Sequence, residues 1–374
     1  MTADGGQRIS PLDGLRGVAA LWVFVGHALV LSGAWIPILG RPLLAVDLFM
    51  MLSGALMVYQ AGVREAREPM AAPTTWLRFW TRRFFRIAPV FYLAFLVAIA
   101  MGPWLGDMRD IVSAASGKSV DWARYHDQGP VNILLHLSFI FGVLPDYAAR
   151  SPLPDWSIGL EMQFYLVFPF ILLLLRRIGF VAGAVLLTIL AALPWLFASE
   201  WLLSFERPSF LLLKLNMFLA GMLVMKARDL SGLPRAALAG VAIVLAMIPL
   251  DPIGHWSEII VRALSVILIA VSITPGLLGP LDRVADLGRS LLASRAFKAA
   301  GDVSYSVYLV HLIVLVPVVA FVTHHHGDLP PLVRAGLAFA ASAAVVYPLG
   351  VLLQKVLEDP GIALGRRLLA RKDA

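Results

Sequence analysis

The chain has 374 residues, of which 59% are hydrophobic and 15% charged, and its mean hydropathy is +0.81. That balance exceeds what a soluble domain needs for its core and excludes water as the main solvent. The net charge of +7 is accounted for by basic loops flanking apolar runs and gives no ground for nucleic-acid binding, while the lack of cysteine excludes disulfides, a thiolate metal site and a cysteine acyl-enzyme.

Apolar runs recur at 15–33, 43–59, 88–102, 159–175, 180–198, 209–225, 236–250, 258–275, 303–322 and 333–353. Each approaches the roughly 20 helical residues that cross a bilayer, and isolated spans satisfy their backbone only as helices. The expected fold is therefore all-α, a polytopic membrane protein of about ten transmembrane helices. One further segment, 131–143, is short, interrupted by His136 and followed by Pro145, and reads as re-entrant or interfacial. Skipping it, with the N-terminus inside, puts the basic stretches at 64–86, 176–177, 226–235, 283–298 and 355–372 in the cytoplasm. The outer loops 199–208, 251–257 and 323–332 then hold a single Arg, as the positive-inside rule expects. Both termini are cytoplasmic on this scheme, in a plasma membrane, and the first helix is retained rather than cleaved. Residues 1–374 read as one domain whose outer loop region, 103–158, is a lid, an acceptor platform or plain solvated chain.

Ionisable residues inside spans are costly and so mark candidate sites. In chain order, Asp13 precedes the first run and is read as its cap. Arg16 and His27 are 11 residues apart, close to three turns, which puts them on one face and roughly 16 Å apart along the axis. A cation at the inner mouth and a base near mid-membrane suit an anionic donor with a reactive end; a helix-packing hydrogen bond is the plain alternative for His27. Asp47, in the second span, either pairs with an intramembrane cation or is wetted by a cavity. Arg82, Arg83 and Arg86 cluster before the third span, where Arg83 and Arg86, one turn apart, either grip phosphate oxygens or anchor the helix at the interface. Glu161 opens the fourth span with Tyr165 one turn on, too deep for a purely structural carboxylate. Lys214 and Arg262 fall near outer span ends, where snorkelling is expected. His311 lies in the ninth span and serves packing or chemistry equally well. The run His324-His325-His326 has no carboxylate constellation beside it and is assigned no metal.

These pieces form a pattern. Leu12-Asp13-Gly14-Leu15-Arg16-Gly17 followed by His27 resembles the opening of the acyltransferase-3 family of integral membrane acyltransferases. Further matches are Val46-Asp47-Leu48-Phe49 with Leu52-Ser53-Gly54, the Arg83 and Arg86 pair, Trp156-Ser157 through Glu161 and Tyr165 to Pro169, and Ser304-Tyr305-Ser306 through Tyr308 to His311. The resemblance implies acyl-CoA, commonly acetyl-CoA, as a cytoplasmic cosubstrate with no permanently bound cofactor. It implies O-acylation of a carbohydrate or glycolipid acceptor, an essential His27, and Arg83 and Arg86 on the nucleotide part of the donor. Arg16 and Arg82 join them as donor contacts, and Asp13, Asp47, Trp156, Ser157, Tyr165, Tyr305 and His311 as supporting residues. Some relatives carry an extracytoplasmic esterase-like domain, so any second-step transferase would be a separate protein.

Attack of a hydroxyl on a thioester needs a base and oxyanion donors. His27 is that base or becomes acylated itself; the first reading is preferred, with Glu161 on the acceptor side. A multi-span transporter or flippase is the main rival, since such residues also build relays, and a non-catalytic membrane scaffold is the second.

Overall fold

The structure, a computed structural model, describes residues 9–116, 119–251 and 256–370. Lys372 of the basic tail and residues 252–255 of one outer loop lie outside the described residues. Every regular element among those described is helical, as expected where each segment must satisfy its own backbone. Helices α1 (Ser10–Leu31), α2 (Pro42–Arg64) and α3 (Pro73–Ala100) each carry proline in their first two positions, where its missing N–H removes no helical bond. The outer segment holds α4 (Gly102–Ser116), α5 (Ala123–His126) and α6 (Pro130–Leu137). After α7 (Trp156–Ile178), α8 (Phe180–Ala192) and the short α9 (Ser199–Leu203) come α10 (Leu215–Arg228), α11 (Gly232–Met247) and α12 (Trp256–Ile273). The chain closes with α13 (Asp282–Leu292), α14 (Arg295–Asp302), α15 (Ser304–His325) and α16 (Pro331–Leu353), which runs through a π-helical turn at Gln354–Glu358 into α17 (Asp359–Ala370).

Seven of these segments are long and apolar enough to cross a membrane: α1, α2, α3, α7, α12, α15 and the continuous Pro331–Ala370. The other three apolar runs also fall on helices, but short ones. Phe180–Leu196 and Gly232–Met247 are shorter apolar helices, interrupted where Pro194 starts a 3-10 turn and where Ile248, extended before Pro249, ends α11. The run at 209–225 is split between a 3-10 turn at Leu211–Leu213 and the 14-residue α10, which begins at Leu215. The chain is an all-α polytopic membrane protein whose inner helices are not all full-length spans.

Segment 131–143 does not form one helix. Phe139, at φ 61, breaks it into α6 and a 3-10 turn at Ile140–Val143, and neither piece is long enough to span. Its apolar sequence is satisfied instead by protein: the buried His136 ring stacks between Phe95 and Phe141 at 4.6 and 4.1 Å.

Close backbone approach fixes the centre. A methyl group on Gly54 would stand 2.1 Å from the Phe218 carbonyl and one on Gly221 1.8 Å from that of Met51, so only glycine lets α2 and α10 cross this tightly. At one end of the bundle α14 lies against the start of α1, which leads α15 alongside α1 in the same direction. The opposite direction is taken by α7, whose start is anchored well inside the bundle. The Tyr308 hydroxyl on α15 donates to the Pro154 carbonyl at 2.8 Å and receives the Ser157 hydroxyl at 2.6 Å, while Arg124 donates to the carbonyls of Ser151 and Leu153.

Candidate active site

Two cavities meet at Tyr308. The first, about 740 Å³, is lined by Arg16 of α1, Ser53 and Gln60 of α2, Arg83 and Arg86 of α3, Glu161 and Tyr165 of α7, and Tyr305 and Tyr308 of α15. Glu161 accepts from the Ser53 hydroxyl at 2.7 Å and from the Tyr165 hydroxyl. Arg83 donates to Gln60 and lies over the rings of Phe79 and Tyr165, 5.6 and 5.5 Å from their centres. Its Nε is buried without a hydrogen-bond partner among the described residues. Arg86 reaches Glu358 at 3.8 Å, and the Tyr305 hydroxyl donates to the Ile87 carbonyl at 2.8 Å. Arg16, Gln60 and Arg86 also line a wider cleft, about 1250 Å³, at the end of the bundle where α1 begins and α2 ends.

The second cavity, about 860 Å³, holds His27 with Trp156, Arg109, Arg124 and Arg207, and shares Tyr308 and Val46 with the first. His27 Nδ1 lies 3.1 Å from His311 Nε2, and His311 Nδ1 is bonded to the Tyr308 carbonyl. A carbonyl only accepts, so with neutral rings His311 carries its proton on Nδ1 and offers Nε2 as acceptor. His27 must then donate from Nδ1, which leaves its Nε2 bare. The Tyr308 backbone thereby selects the His27 tautomer with a free basic nitrogen.

The structure rearranges several sequence expectations. Glu161 joins the arginines rather than His27. Because α7 starts at the level of Tyr308, Glu161 is carried roughly 7 Å further toward the arginines by helical rise. The partner of His27 is His311. His27 itself sits four residues before the end of α1, about 6 Å from it by helical rise. Asp13 is no N-cap, because α1 starts at Ser10 and takes Asp13 into its first turn. Arg82 is turned from the first cavity and donates twice to Glu68, at 2.9 and 2.6 Å.

Lys214 and Arg262 do not snorkel. Both are fully buried and clasp Asp47 at 2.6 and 2.7 Å, with Asp251 closing the ring at 3.1 and 3.0 Å. Burial alone would raise the Asp251 carboxyl, yet Lys214 and Arg262 outweigh it and hold that group below its ordinary value. Asp47 therefore belongs to a sealed ionic cluster and lines neither cavity.

Arg109, Arg124 and Arg207 escaped the sequence reading. Burial lowers the guanidinium of Arg109, with Arg124 adding to the effect, and burial lowers Arg207, with Arg124 and Arg109 adding to it. Their signal was present in the sequence as arginines on the side where positive residues are scarce.

Comparison with known proteins agrees with this architecture. A family model described as an acyltransferase domain matches residues 9–351. The chain belongs to the acyltransferase-3 family. It is 30% identical over 172 residues to the putative membrane-bound transacylase BcsY of Komagataeibacter xylinus, covering 45% of this chain and 38% of that protein. Similar matches are the regulator of hypoxia-inducible factor 1 of Caenorhabditis elegans, 27% identical over 46% of this chain and 35% of that protein, and the peptidoglycan O-acetyltransferase OatA of Listeria monocytogenes, 25% identical over 45% and 25%. The matches thus span well under half the length of these relatives. No solved structure matches the chain. Membership makes the domain one of the acyl-transferring kind, embedded in a membrane.

Proposed function

We propose that the protein moves an acyl group, most simply acetyl, from acyl-CoA to a hydroxyl of a cell-surface or exported carbohydrate. The observation that carries this reading is the juncture at Tyr308 of an arginine-lined cavity with one that holds a tautomer-locked histidine. Arg16, Arg83 and Arg86 suit the phosphates of the donor, since charge-assisted contacts to phosphate are strong and Arg83 keeps an unspent N–H. The thioester end then extends past Tyr308 to His27.

There the acceptor oxygen bonds to the thioester carbonyl carbon as its proton passes to His27 Nε2. The C–S bond breaks, the proton moves from His27 to the thiolate, and the products are an ester and free CoA. His311 is a positioning residue that holds the His27 ring through Nδ1. Glu161 shapes the donor cavity through Ser53 and Tyr165 and has no role at the acceptor. The end of the bundle lined by Arg16 and Arg86 faces the cytoplasm in this scheme, with both termini on that side of a bacterial inner membrane.

The test is transfer of radiolabelled acetyl groups from acetyl-CoA by protein in lipid nanodiscs supplied with extracted surface glycans. Label on glycan, lost in His27→Ala, supports the reading. Label held stoichiometrically on the protein before acceptor is added makes His27 a covalent carrier. Movement of glycan across the bilayer with no label transferred points to a transporter instead.

A further inference from the structure

Resting on that reading, we infer that the acceptor is anionic: it carries a carboxylate or phosphate close to the hydroxyl that becomes acylated. The cavity that holds His27 is lined by Arg109, Arg124 and Arg207, with no acidic residue among its described lining. These cations come from three separate places, α4, α5 and the loop after α9, so no single amphipathic helix explains their meeting. Each is only partly exposed.

Their other contacts do not use up their charge. Arg124 bonds two backbone carbonyls, which carry no net charge. Arg207 has Glu206 at 3.5 Å, but that carboxylate is more than half exposed and lies outside the cavity lining. Asp107 and Asp110, the acids nearest Arg109 in sequence, are exposed on α4 and also absent from the lining. The mutual repulsion of three half-buried guanidinium groups is relieved by an anion between them.

The donor does not supply that anion. Its phosphates have their own arginines in the first cavity, across Tyr308 from this one. Arg124 and Arg207 line the same cavity as His27, so an anionic group held by them leaves a neighbouring hydroxyl within the same cavity as the base. A neutral sugar would leave the three charges uncompensated, which makes them a filter for charged acceptors as well as a grip.

The native chain lacks cysteine, so one introduced thiol reports on the cavity without any acyl transfer. Ala149 lines the cavity. In the full chain carrying Ala149→Cys, an anionic methanethiosulfonate should react on the order of tenfold faster than a cationic one, each corrected for its rate with a free thiol. Arg109→Gln with Arg207→Gln should bring the ratio toward one, with Arg124 left in place because it holds the loop before α7. Monodisperse elution confirms the fold of each variant. In parallel, acetyl transfer is compared between methyl glucoside, methyl glucuronoside and glucose 1-phosphate.

Preference for the anionic thiol reagent and for either anionic sugar, both lost in the double variant, supports the inference, and the two sugars separate carboxylate from phosphate. Equal thiol rates in the native background overturn it. Anion-selective thiol chemistry with equal use of neutral and charged sugars overturns the acceptor assignment alone. Selective thiol chemistry with no transfer to any acceptor, surface glycans included, overturns the transferase reading and takes the acceptor with it.

Discussion

Two groups of buried charge lie within a few turns of each other on α2, and they are built on opposite principles. Around Asp47, Lys214, Asp251 and Arg262 each charge meets an opposite one at 2.6 to 3.1 Å. The ring closes, and none of its four members lines either cavity. Roughly two to four turns further along α2, Ser53 and Gln60 face Arg16, Arg83, Arg86 and Glu161, where cations outnumber the carboxylate and a cavity remains. Low-dielectric surroundings punish an unpaired charge, so the complete ring is an architectural clasp between α2, α10 and α12, whereas the incomplete set leaves an excess of positive charge around open space. Intramembrane charge by itself does not identify a site; incomplete pairing around a cavity does.

The largest expected effect breaks the open side. His27→Ala should lower acyl transfer by about 10²- to 10⁴-fold, the range for loss of a general base, with protein that still elutes as one species. Turnover within a few-fold of the parent would remove His27 from the mechanism.

Breaking the closed side should instead cost the fold. Arg262→Ala leaves Asp47 and Asp251 with Lys214 alone, and removing one partner of a buried pair costs about 3 to 5 kcal/mol. The measurement is the yield of monodisperse protein and its thermal midpoint in detergent. An unchanged midpoint would mean that the ring contributes nothing to stability and that the contrast drawn above is wrong.

Smaller effects sharpen the contrast. Arg83→Ala and Arg86→Ala should each weaken acetyl-CoA binding by about 1.5 to 3 kcal/mol, the scale of a charge-assisted hydrogen bond, with the midpoint little changed. Equilibrium binding of labelled donor checks this, and wild-type affinity in both variants would make the pair a membrane anchor. Arg82→Ala, one residue away but tied to Glu68, should shift donor affinity by less than about 1 kcal/mol, as removal of a partly exposed ion pair does. An effect equal to that of Arg83→Ala would show that Arg82 leaves Glu68 when donor binds.

Composition and run length alone established an all-helical membrane protein, because solvation of a bare backbone in lipid leaves no other solution for such runs. The spacing of Arg16 and His27 placed them on one face, and the single turn between Arg83 and Arg86 brought those two to one cavity, since helical geometry is local. Tertiary structure decided the rest. Whether Lys214 and Arg262 snorkel or pair depends on Asp47 and Asp251 arriving from other parts of the chain. That Glu161 sits with the arginines, and His311 with His27, follows from how deep α7 and α15 begin. The loop at 151–155 and the packing of α14 on α1 set those depths, and no periodicity within a single helix encodes them. Arg109, Arg124 and Arg207 could be seen in the sequence as misplaced positive residues, but only the fold brings three separate segments to one cavity around His27.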